Sequence, residues 1–235
     1  MIKNHIDIVR NGLILHLDTI NLDCYDRVGT SIVNLVEATG IGTLTNGAIF
    51  NSTNGSIDFD GVNDFIEFAL PQSFDPNSFT RYSESVWFKN DTDTGGITNF
   101  YNGPVMDLGL ELEIYFGDVY VAFSQSAYAY FTYGITGSWV NFSYTYDGAG
   151  ATNADILKFY VNGVQVSLTF FGSMPSSIDT ITTPIDSYLI GVVRPGFGNP
   201  YRYFQGNIAH ILTYNTTLSA ADVKQNYEAT KNWFQ

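Results

Sequence analysis

The stretch YFQGNIAHILTYNTTLSAADVKQNY, residues 203–227, carries the clearest secondary-structure signals of this chain. Its Gly206-Asn207 pair is a turn dipeptide. The run Ile208–Tyr214 that follows is apolar and rich in residues that suit a pleated surface, which is typical of a strand. The first half of the stretch therefore predicts a tight turn that leads into a strand.

The second half of the stretch predicts a capped helix. Ser219 and Asp222 have the spacing of a capping box, in which the serine accepts the backbone N–H of the third helical residue. Leu218 and Val223 occupy the two positions of a hydrophobic staple. The sequence thus predicts one helix at the end of a chain otherwise made of strands, and we expect this helix to cover a sheet.

The remainder of the chain is predicted to form short strands separated by turns. In residues 56–68, alternation places Ile57 and Phe59 inward and Asp58 and Asp60 outward. Asn162-Gly163 fits the left-handed dihedral angles of a two-residue hairpin turn. Strands are predicted within residues 12–18, 43–50, 56–68, 84–89, 110–117, 119–125, 138–147, 157–166 and 188–193, with a turn at Gly117-Asp118.

Composition excludes several classes of function. The chain has 235 residues and a formal net charge of -13, with 16% aromatic and 14% charged residues. This balance favours strands and fits one large all-β domain. We expect no nucleic-acid binding, because phosphate contacts need a basic face. We also expect no membrane association, because the charge disfavours anionic lipids and no segment approaches the roughly 20 apolar residues of a membrane helix.

Taken in order, these segments resemble the concanavalin A-like lectin/glucanase superfamily, in its laminin-G-like jelly-roll branch. The resemblance runs from about Gly12 to the C-terminus. It implies an all-β, two-sheet antiparallel jelly-roll sandwich with a short C-terminal helix. The segments that carry it are GLILHLD, GTLTNGAIF, SIDFDGVNDFIEF, SVWFK, SWVNFSYTYDG, LKFYVNGVQV, YLIGVV and FQGNIAHILTYNTTLSAADVKQNYEATK.

The early GTLTNG and the late LSAADVKQNYEATK also resemble domains of tailed-phage virion proteins. This implies a place on the surface of a phage particle, or otherwise outside the cell, beside other virion proteins. We expect residues 1–11 to form an N-terminal arm and residues 12–235 to form the jelly-roll domain. The arm is predicted to dock onto a partner or a neighbouring copy, in a homo-oligomer.

The resemblance raises a hydrolase as one alternative. Glucanases of this superfamily carry Glu-x-Asp-x-x-Glu on one strand, which places a nucleophile and a general acid on one side of a cleft. The nearest sequence here begins at Glu111 and Glu113, which share a strand face. Phe116 then stands where the second catalytic carboxylate is needed. We therefore expect a protein that is not an enzyme.

Calcium is the ion that the resemblance implies, because many members hold Ca²⁺ at the rim of the sandwich with Asp, Asn and carbonyl oxygens. The candidate ligands are Asp58, Asp60, Asn63 and Asp64. The alternative is that these residues form turns, with side chains that bond their own backbone. We expect that no cofactor is required and that Ca²⁺ is a candidate ligand.

A glycan site needs planar aromatic rings beside polar groups on an open face. Two regions meet this condition, residues 126–133 and the Gly/Pro-rich loop 194–203, although a sandwich core also consumes aromatic residues. Three histidines and the single Cys24 show no catalytic or metal-binding spacing, so we expect them to be structural. The candidate glycan-binding residues are Tyr128, Tyr130, Tyr133, Phe197, Tyr201 and Tyr203.

The sequence thus leaves two classes of function open. The first is a non-catalytic virion protein with a lectin-like fold that mediates attachment or assembly, with a cell-surface glycan as a candidate ligand. The second is a purely structural capsid-decoration or fibre protein without a ligand. A fold of this kind does not decide between them, because lectins, glycosidases and assembly proteins all use it.

Overall fold

Strands dominate the computed structural model, which describes residues 7–37, 40–69, 80–101, 110–134, 136–177, 187–193 and 201–234. The helices are α1 (Asn153–Ile156) and α2 (Ala220–Thr230), and a 3-10 turn follows at Lys231–Trp233. The strands are β1 (Leu13–Asp18), β2 (Ser31–Val33), β3 (Ile41–Thr45), β4 (Ile49–Asn51), β5 (Ser56–Asp60), β6 (Phe65–Ala69), β7 (Arg81–Asn90), β8 (Gly95–Tyr101), β9 (Glu111–Tyr115), β10 (Asp118–Ser124), β11 (Ala127–Thr132), β12 (Val140–Asp147), β13 (Leu157–Val161), β14 (Val164–Val166), β15 (Thr169–Phe171), β16 (Ser187–Ile190), β17 (Val192–Val193), β18 (Arg202–Tyr203) and β19 (Gln205–Tyr214).

Two antiparallel sheets contain most of these strands. Sheet A has the order β14-β13-β12-β7-β19-β5-β4, and β1 also pairs with β19, beyond the end of β5. Sheet B has the order β15-β11-β10-β9-β8-β16-β6-β3-β2, and β17 pairs with β18 separately. Side chains of both sheets meet in one main hydrophobic core. The predicted jelly-roll sandwich is confirmed.

The chain passes from one sheet to the other at two short turns. Strand β3 belongs to sheet B and β4 to sheet A, so the turn at Asn46-Gly47 joins the two layers. The turn at residues 61–63 likewise joins β5 of sheet A to β6 of sheet B. These short segments therefore do not form hairpins, and this crossing between the layers builds the sandwich.

The predicted alternation is confirmed on the inward faces. Ile57 and Phe59 are buried, while Asp58 is half-buried and Asp60 is exposed. The Asn162-Gly163 turn joins β13 to β14, and both residues have the positive φ angles, 51° and 75°, that such a turn needs. Local pattern and turn chemistry therefore agree with the fold over these segments.

Two predicted turns lie elsewhere. The β9–β10 loop is Phe116-Gly117, with φ of 50° and 80°, and Asp118 already belongs to β10. The predicted Gly206-Asn207 turn is wrong, because both residues lie inside β19. Gly206 has φ of 142°, and a Cβ there would lie 2.1 Å from the carbonyl oxygen of Lys89. A glycine is thus needed for close strand contact rather than for a turn.

The predicted helix covers the outer face of sheet A. Ser219 and Asp222 form the capping box, with the Asp222 N–H donating to Ser219 Oγ at 3.2 Å and the Ser219 N–H donating to Asp222 Oδ2 at 3.0 Å. Val223 is buried and Lys224 is exposed, as predicted. No helix in the described part of the chain is long and apolar enough to cross a membrane.

Trp87 anchors this helix to the sheet. Its indole is fully buried between Tyr227 and Phe234, with ring centroids 5.7 Å and 4.7 Å away in stacked arrangements. The indole N–H donates to Thr230 Oγ1 at 2.8 Å. A buried tryptophan needs such a partner for its one donor, so the contact fixes the position of the helix on the sheet.

The described part of the N-terminal arm, residues 7–11, packs against the chain's own C-terminal helix. Ile8 is buried beside Val223 and Tyr214. The Val9 N–H donates to Asn226 Oδ1 at 2.8 Å, and the Tyr214 hydroxyl donates to the Val9 carbonyl at 3.1 Å. These contacts place the arm within the monomer, and docking onto a neighbouring copy stays a prediction.

A carboxylate lies in the core between the sheets. Glu84 of β7 is 1% exposed, and its Oε2 accepts hydrogen bonds from the hydroxyls of Tyr82, Tyr188 and Tyr144 at 2.6, 2.9 and 3.3 Å. Its Oε1 accepts a fourth from Thr98 at 2.6 Å. Burial raises the pKa of Glu84, and the four hydroxyl donors oppose that rise. Two of these donors come from sheet B, so the cluster joins the layers.

Candidate functional site

Four aromatic side chains form a continuous row on the outer face of sheet B. Tyr120 of β10 stands opposite Tyr130 of β11, and Tyr128 of β11 stands opposite Phe171 of β15. The ring centroids of Tyr120 and Tyr130 are 5.4 Å apart, and those of Tyr128 and Phe171 are 4.9 Å apart, both in stacked arrangements. We name these four residues the aromatic row.

The row lies outside the core because of strict alternation along its strands. In β10, Val119 and Val121 are buried in the core, so Tyr120 between them points to the opposite face. Ala129 of β11 is likewise buried between the two row tyrosines. Phe171 is 52% exposed and the three tyrosines are half-buried, so rings of the row are open to solvent.

Two carboxylates continue this face onto the next strand. Glu113 of β9 stands opposite Tyr120, and Glu111 stands opposite Ala122, whose small side chain leaves space beside the rings. The face thus crosses the four strands β9, β10, β11 and β15. At the usual strand spacing it is about 14 Å wide. Carboxylates therefore border one end of an aromatic surface.

Arg202 holds one of these carboxylates. Its Nε and Nη2 donate to Glu113 Oε2 and Oε1, each at 2.6 Å, in a bidentate ion pair. The guanidinium also lies 4.5 Å from the ring centroid of Tyr115, the next residue of β9 on the same face. Both partners of the pair are largely shielded from water, which strengthens a charge-assisted contact of this geometry.

A glycine allows Arg202 to reach this position. Strands β17 and β18 lie over β8, and a Cβ on Gly96 of β8 would lie 2.1 Å from the backbone nitrogen of Val193. Any side chain at this position would force the β17–β18 pair away from the sheet. Gly96 therefore permits the close layering that brings Arg202 against β9.

The two carboxylates differ in their electrostatics. Burial and the charge of Glu113 raise the pKa of Glu111 to about 8, although Arg202 opposes the rise. Burial raises the pKa of Glu113 as well, while the ion pair and hydrogen bonds with Arg202 lower it. A pKa of about 8 leaves Glu111 mostly protonated at neutral pH, so it can donate a hydrogen bond, whereas both oxygens of Glu113 accept from the Arg202 guanidinium.

The structure divides the six predicted glycan-binding residues. Tyr128 and Tyr130 meet in the aromatic row. Tyr133, like Phe131 two residues earlier, faces the core, and its ring centroid lies 4.9 Å from that of Phe142. It is therefore not part of the aromatic row. Tyr201 and Tyr203 form a separate pair with ring centroids 5.8 Å apart, and they contact no ring of the row. Phe197 lies outside the described residues.

Three of the four predicted calcium ligands, the aspartates, use carboxylate oxygens in turn and strand hydrogen bonds. Asp58 accepts from the amides of Asn51 and Asn207. Asp60 Oδ1 accepts from the Val62 N–H at 2.8 Å, and Asp64 Oδ2 accepts from the Asp60 N–H at 3.0 Å.

Asn63 contributes its carbonyl oxygen to the amide of Asn46 at 2.9 Å. Of the four candidate ligands, Asp64 alone has a buried oxygen without a partner, its Oδ1. Within the described residues, no three His, Cys, Asp or Glu side chains form a group that could hold a metal. This geometry fits the turn interpretation better than a calcium cage, and Ca²⁺ binding stays a prediction.

The residue that follows Glu111 and Glu113 on the same strand face is not the one expected from the hydrolase pattern. Strand β9 pairs with β10 without a bulge, so the third residue on the face of Glu111 and Glu113 is Tyr115. Phe116, the residue predicted for that place, lies in the turn and is 73% exposed. A tyrosine thus stands at the end of the carboxylate face.

His210 and Cys24 are buried and His16 is half-buried, while His5 lies outside the described residues. His16 and His210 come from neighbouring strands, and their Nε2 atoms lie 3.2 Å apart. Burial and the charge of Arg10 lower the pKa of His16 to about 4, and burial also lowers that of His210. Cys24 accepts a hydrogen bond from the Asp18 N–H, and burial raises its pKa to about 12. An un-ionised thiol of this kind is a poor nucleophile.

Sequence reasoning missed three parts of this face. Tyr120 lies in the alternating segment DVYVAFS, which carried the signal but was treated only as a strand. Phe171 follows a stretch that shows no strand pattern. The pairing of Arg202 with Glu113 joins residues far apart in the chain, so no local pattern could have indicated it.

A family model described as the concanavalin A-like lectin/glucanases superfamily, of the laminin-G type, matches residues 60–224. The chain belongs to this superfamily. The predicted family is thereby confirmed, and the two-sheet architecture agrees with it. Among curated proteins, none matches this sequence.

Solved structures share the fold at low identity. Trypanosoma rangeli sialidase in complex with the inhibitor DANA has a TM-score of 0.67 and 14% identity, over 97% of this chain and 34% of that chain. The same sialidase in complex with sialic acid has a TM-score of 0.65 and 14% identity, over 94% and 33%. The botulinum neurotoxin serotype D binding domain has a TM-score of 0.63 and 16% identity, over 92% and 51%. The chain thus spans about a third of the sialidase and half of the neurotoxin domain, and the likeness concerns the fold.

Proposed function

We propose that this chain is a non-catalytic carbohydrate-binding module that holds a glycan across the aromatic row. The observation that carries the proposal is the continuous stack of Tyr120, Tyr128, Tyr130 and Phe171 on the outer face of sheet B. Rings in this arrangement offer the apolar C–H groups of a sugar an apolar surface that needs little ordering on binding.

Polar groups at the edge of the row supply the hydrogen bonds that a glycan needs. Glu111, whose pKa is raised to about 8, donates to a sugar oxygen at neutral pH. The tyrosine hydroxyls can donate or accept. A site with a few placed polar groups beside aromatic rings is the usual composition of a small-ligand site.

The state of Glu113 supports binding rather than hydrolysis. A retaining glycosidase needs one carboxylate free to attack and a second carboxyl group to protonate the leaving oxygen. Here both oxygens of Glu113 already accept from Arg202, and Tyr115 stands at the third position of the strand face. We therefore propose that this face binds a ligand without cleaving it.

The fold neighbours support this proposal by analogy. One is a sialidase solved in complex with sialic acid and another is a neurotoxin binding domain, so the fold occurs in proteins that engage sugars or bind targets. A place on a phage virion, a homo-oligomer and a cell-surface glycan as ligand stay predictions that rest on the sequence resemblance. Attachment through repeated copies would add avidity to a weak site.

A glycan array with the purified chain, with Ca²⁺ and with EDTA, tests the proposal. We expect saturable binding to at least one glycan class and no release of reducing sugar from it. A chain that binds no glycan under either condition would favour the purely structural alternative. Cleavage that is lost in Glu111→Gln would favour the hydrolase. Binding seen only with Ca²⁺ would support the predicted calcium site.

A further inference from the structure

A concave site lies away from the aromatic row, where the C-terminal 3-10 turn meets the β4–β5 turn. It is a groove of about 380 Å³, a size that suits a small ligand. None of its lining residues belongs to the aromatic row. We name it the C-terminal groove, and it is lined by Ile20, Arg27, Phe50, Ser52, Thr53, Asn54, Gly55, Trp139, Trp233 and Phe234.

Aromatic rings form the floor and one wall of the groove. Trp233 is 46% exposed, and Trp139 is half-buried with its ring centroid 5.0 Å from that of Phe234. Phe234 in turn stacks on the buried Trp87. The groove tryptophans therefore stand on a rigid aromatic base, and one indole presents a large part of its surface to solvent.

Arg27 supplies the charge of the groove. Its guanidinium lies 4.9 Å from the ring centroid of Phe50, and one Nη2–H donates to the Ile20 carbonyl at 3.3 Å. These two contacts orient a fork that has five N–H donors in all. The described lining contains no acidic residue, although the chain has 23 Asp and Glu against 10 Lys and Arg.

None of the ion pairs found among the described residues involves Arg27. Asp26 accepts the Val28 N–H at 2.9 Å, in its own turn. The opposite wall of the groove carries small polar residues. Asn54 uses its Oδ1 to accept from Ser56 at 2.6 Å, which leaves the amide N–H groups for other partners. Ser52 and Thr53 add hydroxyl groups beside it.

We infer that the C-terminal groove is a second carbohydrate site and that it takes an acidic sugar, a pyranose that carries a carboxylate. The sugar ring stacks on Trp233, the carboxylate pairs with Arg27, and ring hydroxyls bond to the residue 52–54 turn. A planar guanidinium matches a carboxylate in bidentate geometry, and exposed indole surface matches the apolar face of a pyranose. This inference does not depend on the aromatic row.

Intrinsic fluorescence reports on this groove selectively. The chain has three tryptophans, and Trp87 is fully buried whereas Trp139 and Trp233 line the groove. The aromatic row contains no tryptophan. Acrylamide quenching of the native protein therefore measures access to the C-terminal groove, and ligand bound at the row leaves it unchanged.

The test titrates matched pairs of sugars, 3′-sialyllactose against lactose and trigalacturonic acid against its methyl ester. We expect at least one acidic sugar to protect the tryptophans in a saturable way, with affinity at least about tenfold above its neutral partner, a factor that a charge-assisted pair readily supplies. Arg27→Gln should abolish that preference. Trp233→Ala should remove binding of both members of the pair.

Control variants keep the result specific. Arg81→Gln removes another surface arginine, 58% exposed, and should leave the preference intact. Tyr130→Ala separates the two sites, because it should reduce glycan binding at the row and leave the protection of the tryptophans unchanged. A thermal melt of each variant checks that it is folded.

Several results would overturn the inference. One is the absence of saturable protection by either acidic sugar up to about 10 mM, a limit beyond the millimolar range of weak specific binding. Others are equal affinity for the acidic and neutral sugars of a pair, and an unchanged preference for the acidic sugar in Arg27→Gln. Protection that rises with protein concentration alone would also overturn it, because a second copy of the chain would then fill the groove.

Discussion

Arg202 and Glu113 form a bidentate ion pair, with two N–H···O contacts of 2.6 Å, between the β18 segment and strand β9. The pair fixes the end of the carboxylate face beside Tyr120, on the face that we propose to bind a glycan. It also ties the β17–β18 segment to sheet B. Positioning of the site and stability of the sheet therefore depend on the same contact.

Arg202→Gln should lower the free energy of unfolding by about 2–4 kcal/mol, because it leaves a buried carboxylate without its cation. The pKa of Glu113 should then rise further, since burial raises it and only Arg202 opposes the rise. The loss should be smaller at low pH, where Glu113 is protonated. Urea denaturation at pH 5 and pH 8 measures both effects.

Arg81→Gln is the matched control for this variant. Arg81 pairs with Asp147 at 3.5 Å, and its side chain is 58% exposed, so its removal should cost less than about 1 kcal/mol. Equal losses for Arg202→Gln and Arg81→Gln would contradict the importance assigned to the Glu113 pair.

Glu111 should make the protein less stable as the pH rises. Its pKa is about 8 in the folded chain and near the ordinary value of 4.5 in the unfolded chain, so the folded state binds the extra proton between these values. The contribution is fully present below about pH 4.5 and is lost as the pH rises through 8. Glu111→Gln should remove this slope and gain up to a few kcal/mol at pH 9. Unfolding curves between pH 5 and pH 9 show it, and an identical slope in the variant would refute the assignment.

Tyr188→Phe should destabilise the sandwich by about 1.5–3 kcal/mol, because it removes one of the hydroxyl donors to the buried Glu84 carboxylate. Tyr130→Phe removes a hydroxyl on the outer face and should cost no more than about 0.5 kcal/mol. Urea midpoints of the two variants make the comparison. A Tyr188→Phe protein as stable as wild type would mean that Glu84 does not need the Tyr188 hydroxyl.

Asn226→Ala should loosen the N-terminal arm. The Asn226 side chain accepts from the Val9 N–H at 2.8 Å and donates to the Tyr214 hydroxyl at 3.0 Å, and the residue is 1% exposed. We expect a loss of about 2 kcal/mol, because buried partners stay unpaired. Limited trypsin digestion should cut faster after Arg10, while exposed Lys224→Ala should behave as wild type. Unchanged cleavage in Asn226→Ala would show that the arm is held by other contacts.

Deleting residues 1–10 tests the predicted assembly role of the arm. If the arm joins neighbouring copies, the deletion should abolish a homo-oligomer in size-exclusion chromatography with light scattering. It also removes the Ile8 and Val9 contacts with α2, so the truncated chain should melt at a lower temperature. An oligomer that survives the deletion would end the assembly hypothesis.

Much of the fold was predictable because its signals are local. The capping box of Ser219 and Asp222 and the Asn162-Gly163 turn depend on residues close in sequence, and both form as predicted. The Phe116-Gly117 turn was not predictable in its register, because it places a phenylalanine at positive φ, where Gly, Asn and Asp are more common.

The site was less predictable because its decisive contacts are long-range. Alternation alone places Glu84 of β7 in the core, where apolar residues are expected. The carboxylate is accommodated there because three tyrosines and Thr98 donate hydrogen bonds to it, and these contacts cannot be recognised in the sequence. Tyr133 satisfied the composition of a sugar site and still packs into the core. A motif finds aromatic residues, and only the pairing of strands shows which of them share a face.

A glycan site on the aromatic row is tested by the affinity of the glycan selected by the array, measured by calorimetry for wild type, Tyr130→Ala and Tyr201→Ala. We expect Tyr130→Ala to weaken binding at least about tenfold, or roughly 1.4 kcal/mol. Tyr201, a 42% exposed ring outside the row, should be replaceable without loss. Wild-type affinity in Tyr130→Ala, or binding abolished by Tyr201→Ala, would contradict a glycan site on the aromatic row.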